Sequence, residues 1–261
     1  MAARIQVRTS KWAMRAYRIG VFAVPILLIG VLGSRFDYFG ELETFAVIGA
    51  GFFCAFVAVL CALAGISDFW RDDDRGLGRA LAGLALGFAG VAPALLMGAA
   101  VLIYPRITDV SSDVIEPPMI TVRDPGDEER IARGASGGLI VEDLYGLPLE
   151  EPIEDVFGLA MPLIEARGWT IVRSQEPAPG RSTALVEVIA RTPVLGFRDR
   201  ATIRLTRFPG GTLVDMRSIT LRGRHDFGLN LRRISAFFED IVTTLEARET
   251  GVDPDAGDAS G

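Results

Sequence analysis

Three long uncharged stretches near the start of the chain constrain its fold more than any other feature. Residues 45–66 form a run of 22 without a charge, and residues 80–104 a run of 25. Each exceeds the roughly 20 helical residues that cross about 30 Å of hydrocarbon. A third stretch, residues 19–34, is shorter at 16. Arg18 and Arg35 at its ends can snorkel to the headgroups, and Tyr17, Phe36 and Tyr38 suit an interfacial belt. A signal peptide is the other reading of this stretch, because basic residues precede it. Val31-Leu32-Gly33-Ser34 lacks a clean cleavage pattern, which favours an uncleaved anchor.

Mean hydropathy over the 261 residues is +0.32, an average over two unlike halves. Up to Tyr104 the chain carries 16 charged residues; from Pro105 onward it carries 44. Residues 1–104 therefore read as a membrane anchor of three helices, and 105–248 as one compact domain with its own core. Residues 249–261 read as a small, acidic, disordered tail. Cys54 and Cys61 both lie in the second span, so the domain holds neither a disulfide nor a thiolate site.

Five cations precede the first span, and Arg71, Arg75 and Arg79 sit between the second and third; the intervening loop has only Arg35. Positive charge marks the cytoplasmic side, and the neighbouring acids do not cancel it. The expectation is a multi-pass protein of a bacterial inner membrane, with a cytoplasmic N-terminus and a periplasmic C-terminal domain. Gly83 and Gly87 in span three, and Gly51, Ala55, Ala58 and Ala62 in span two, recur at small-residue spacing that lets helices approach closely. No intramembrane charge marks a transport path, so a self-contained bundle is expected.

In the domain, residues 107–123 read as a linker, because Pro117-Pro118 excludes a helix. Residues 124–146 read as a loop; its glycine run 133–138 lacks the Gly-Lys-Ser/Thr ending of a phosphate loop. An amphipathic helix is predicted over 152–167, with Ile153, Val156, Phe157, Ala160 and Ile164 inward, Pro162 bending it and Gly168 ending it. Strands follow over 169–175, 183–192, 200–208 and 212–222, with Pro209-Gly210-Gly211 as a tight turn. A closing helix spans 229–248, with Ile234, Phe237, Phe238, Ile241 and Leu245 inward. The expected fold is a three-helix transmembrane bundle plus an α+β domain, an antiparallel sheet of about four strands packed by two helices on one face; one long helix across a curved antiparallel sheet, a variant that often encloses a lipid-sized cavity, fits the same order of elements.

Several residues together resemble one family. They are Asp109, Asp113, Pro117 and Pro118; Gly168 and Trp169; Phe197 and Asp199; then Arg217, Ser218, Thr220, Gly223, Asp226, Gly228, Asn230, Arg233 and Ile234. In this pattern the chain resembles the bacterial domain of unknown function numbered fourteen ninety-nine, from about Ile107 to Ala247. Two positions depart from it: Arg200 stands where a second aspartate is expected, and Leu221 where a second arginine is expected. The resemblance implies the fold and a membrane anchor; it implies no reaction.

Charge within the domain is uneven, with 11 arginines and four acids from Arg181 to Arg233. The sharpest candidate is an anion site where residues 226–230 enter the last helix. Free backbone N–H groups there favour a negative group, Gly228 allows close approach, and Arg217, Arg222, Arg224 and Arg233 can complete it beside Asp226 and Asn230. The plainer reading is that Asp226 or Asn230 caps the helix while the arginines pair with Asp199, Asp215 and Glu187.

His225, the single histidine, lies beside Asp226 and near Ser218 in sequence, which raises a hydrolase alternative. Neighbouring His and Asp rarely share one relay, however. One histidine and no domain cysteine argue against zinc, and Asp109 with Asp113 reads as solvated linker rather than a calcium site. A domain net charge near −8, 18 cations minus 26 acids, argues against nucleic acid. The expected function is non-enzymatic, without cofactor: an envelope module that binds an anionic or lipidic ligand or an envelope protein. The alternatives are a hydrolase using Ser218 and His225, or a scaffold within a membrane complex.

Overall fold

A computed structural model describes residues 10–72, 76–104, 107–121, 144–221 and 225–250. The chain divides into two compact units, one made by the N-terminal helices with residues 193–196, the other by the remainder from Tyr104.

The first unit holds α1 (Lys11–Arg35), α2 (Glu41–Asp72) and α3 (Leu77–Ile103). All three are long and apolar enough to cross a membrane. α1 runs for 25 residues, longer than its uncharged stretch, because Lys11, Arg15 and Arg18 continue the helix beyond the apolar part. Ser10 caps it, its Oγ accepting from the Ala13 N–H at 3.3 Å.

The interior of this bundle is small and its exterior large. Ala16, Ala23, Ala55, Ala58 and Ala62 are fully buried, while Phe22, Phe53, Phe88 and Leu102 are exposed. That arrangement inverts a water-soluble bundle and suits helices whose solvent is lipid. A Cβ on Gly83 would lie 2.6 Å from the Ala16 carbonyl carbon, and one on Gly87 would lie 2.9 Å from the Ala55 oxygen. The small-residue ridge thus sets how closely α3 approaches both neighbours.

The second unit is a sheet of six antiparallel strands, not about four. It comprises β1 (Asp109–Ser111), β2 (Leu147–Leu149), β3 (Thr170–Gln175), β4 (Thr183–Arg191), β5 (Arg198–Phe208) and β6 (Gly211–Ile219). The order is β1-β6-β5-β4-β3, and β2 shares the β6 edge with β1. The two additional strands have three residues each, too short to show alternation, and one contains Pro148. The predicted loop 124–146 and tail 249–261 fall almost wholly outside the described residues.

Two helices, α4 (Ile153–Ala166) and α5 (Leu229–Thr250), pack one sheet face. Val156, Leu159, Ala160 and Ile164 from α4 join Ile234, Phe237, Phe238 and Ile241 from α5. They meet Val186, Val188, Ala201, Ile203, Leu205, Val214 and Met216 from the strands. Leu159 occupies the buried stripe where Phe157 was expected; Phe157 is only half-buried.

Gly168 ends α4 with φ +64, and the Trp169 N–H bonds the Ile164 oxygen at 3.2 Å. A Cβ there meets nothing within 4 Å, so Gly168→Ala costs only its backbone strain. The expected loss is about 1 kcal/mol, read as a lowered denaturant midpoint at unchanged slope.

Candidate functional site

The face of the sheet opposite the helices is polar, and the chain covers it with its own backbone. Residues 109–111 pair with β6 as β1, and the chain from there to 121 crosses the sheet as a strap. Arg217 Nε and Nη2 grip the two Asp109 oxygens at 2.9 and 2.6 Å. Arg204 reaches Asp113 at 2.7 Å, Asp215 at 3.0 Å and the Glu116 carbonyl at 2.9 Å. The Thr202 hydroxyl donates to the Met119 carbonyl at 3.1 Å. Glu187, fully buried, accepts from Arg200 at 3.3 Å and from the Thr121 N–H at 3.2 Å.

Asp109 and Asp113 are thus strap fasteners bound to arginine. Burial alone would raise the Asp113 carboxyl, but the Glu116 and Ile115 N–H groups and Arg204 outweigh it and hold it below the usual aspartate range. A depressed carboxylate stabilises the fold above its unfolded pKa, and that stability is lost as pH falls through its lower folded value. Asp113→Asn should therefore lower the melting temperature near pH 7, and the deficit should shrink toward about pH 3.

A second network lies at the start of α5. The Asp226 carboxylate accepts from the Gly228 N–H at 2.9 Å and the Asn230 N–H at 3.0 Å, so the helix caps itself with its own anion. Asn230 is fully buried and uses every side-chain position. Its Oδ1 accepts from Ser218 Oγ and Arg233 Nη1, both at 2.8 Å. Its Nδ2 donates to the Thr108 carbonyl at 3.2 Å and to Thr220 Oγ1 at 3.0 Å. Arg233 also reaches Ser218 Oγ at 2.7 Å and Asp199 at 2.8 Å. Burial raises the Asp199 carboxyl above its ordinary range despite the opposing pull of Arg233 and Thr220; nearby Asp226 adds to the rise.

The structure brings Asp226, Gly228, Asn230 and Arg233 together, and they hold one another. Arg217 is spent on Asp109 instead. Arg222 and Arg224 lie outside the described residues. Ser218 is fully buried and gives its proton to Asn230, and among the described residues no hydrogen bond joins it to His225. His225 stacks on Phe227 with ring centroids 5.6 Å apart. A hydrolase reading therefore lacks an accessible nucleophile paired with a base.

Gly228 sits at positive φ (+74), and the Tyr104 ring lies where its side chain would be. Beside that contact is a cavity of about 260 Å³ lined by Tyr104, Ile107, Val110, Asp226, Gly228, Leu231 and Arg232. Its lining is almost wholly apolar. Sequence reasoning missed it because Tyr104, Ile107 and Leu231 carry no chemical signature, and their meeting depends on β1 docking against β6.

These two networks and this cavity sit in and around a segment with a recognisable pattern. Residues 159–241 match the DUF1499 family model. That family is described as a protein of unknown function. The DUF1499 segment starts within α4, contains all four long strands and ends within α5. It includes the Ser218–Asn230–Arg233 network but not the strap that completes the sheet. No curated protein and no solved structure matches the chain.

Proposed function

We propose that this is an inner-membrane protein whose α+β module stands on the periplasmic side and accepts a lipidic ligand without transforming it. The cavity beside Gly228 carries the reading. It is apolar, and Tyr104, which lines it, directly follows Ile103, the last residue of α3. Consecutive Cα atoms are about 3.8 Å apart, so the lining begins within a residue of a hydrocarbon-length helix. The self-satisfied arginines support a lipid over a free anion, since binding an anion at Arg217 or Arg233 would require breaking a buried ion pair. The arginine asymmetry of the loops supports the orientation.

Purified full-length protein should carry co-purifying lipid, and Leu231→Trp, which fills the cavity, should remove it while the protein still folds. Equal lipid on both proteins would refute the cavity as the site. An alkaline phosphatase fusion after Arg248 should be active; an inactive but stably expressed fusion reverses the orientation.

A further inference from the structure

We infer that the cavity beside Gly228 takes a single acyl chain bearing an anionic head, and that Arg232 holds the head. The inference rests on the lipid reading above and adds the class of lipid. Three observations carry it.

The first is size. At about 260 Å³ the cavity falls just below the roughly 300 Å³ at which small-molecule pockets begin, so it has room for one short acyl chain and not for a two-chain lipid. The second is charge. Arg200, Arg204, Arg207, Arg217 and Arg233 each pair with a carboxylate in the domain. Arg232 is exposed at the cavity and, among the described residues, makes one polar contact, from Nη2 to the Phe227 carbonyl at 2.9 Å. Asp226, the acid in the same lining, is buried and directs both oxygens at the Gly228 and Asn230 N–H groups, and among the described residues it forms no ion pair with Arg232.

The third is strain. Phe227 adopts a left-handed backbone at φ +54, costly for an aromatic residue. That conformation aims its carbonyl at Arg232 and fixes the guanidinium at the mouth, leaving the other donors for a carboxylate or phosphate head. The third apolar helix ends one residue before the lining begins, so the bilayer is the natural source of the chain.

Full-length protein in phosphatidylcholine nanodiscs can be photolabelled with decanoic acid carrying a diazirine near its methyl end, beside its neutral glyceryl ester. The acid should label residues 104–110 and 226–232 about tenfold more than the ester. Arg232→Gln should abolish that preference and leave ester labelling unchanged; Leu231→Trp should remove both. Decanoate or decyl phosphate as competitor then reads whether the head is carboxylate or phosphate, and displacement by either supports the inference. Equal labelling by acid and ester, or a preference that survives Arg232→Gln, overturns the anionic head but leaves the lipid reading standing. Labelling of neither stretch by either probe overturns both.

Discussion

Asn230→Ala should lower the stability of the sheet domain by about 3 kcal/mol or more. The side chain is fully buried and joins three separate pieces of chain. Ser218 and Thr220 at the end of β6, Thr108 ahead of β1, and Arg233 on α5 all bond to it. Removing it strands two hydroxyls, a carbonyl and part of a guanidinium, and each unsatisfied buried group costs about 1–3 kcal/mol. A domain of this kind has only about 5–15 kcal/mol in total, so the variant should sit near the edge of folding. Urea unfolding of the full-length protein, followed by amide exchange in β6 and α5, reads the loss. An exposed change such as Glu239→Ala should shift the same midpoint by less than about 0.5 kcal/mol. Equal shifts from the two substitutions would mean that Asn230 does not organise the domain.

Arg200→Ala should cost about 3–5 kcal/mol, the usual cost of stripping one partner from a buried ion pair. Glu187 has no exposed surface, and among the described residues its only other bond is the Thr121 N–H. Left without the arginine, its carboxylate is a buried charge that has lost its ion-pair partner. Adding Glu187→Gln to Arg200→Ala should recover much of the loss at pH 7, because the amide still accepts from Thr121 without a charge. Arg200→Asp, the residue the family pattern expects here, should be worse than alanine, since it sets a second acid against Glu187. No recovery on adding Glu187→Gln would show that Glu187 is not stranded by loss of the arginine.

The apolar spans, the four long strands and the two packing helices were legible because each repeats a simple pattern over many residues. The strap was not. Asp109 and Arg217 are 108 positions apart, and neither position carries a periodic signal that names the other. Arginine-rich strands with few acids nearby in sequence look like an anion site when the matching carboxylates arrive from a distant linker. Asp226 was legible as a helix cap, since an acid two residues before a glycine suits that geometry. The cavity was not, because it is made by what Tyr104, Ile107 and Leu231 fail to fill.

Docking of the strap also sets an order of assembly. Asp109 pairs with Ile219, so the first segment to leave α3 waits for some 110 further residues before its partner strand exists. At a synthesis rate of about 5–20 residues per second, that delay is on the order of 5–20 s. Throughout it, the acids of the strap and the apolar residues Val110 and Ile120 have nothing to pack against. The newborn domain therefore passes through a stage at which proteases and folding helpers compete for this stretch, and a chain halted before Ile219 would never leave it.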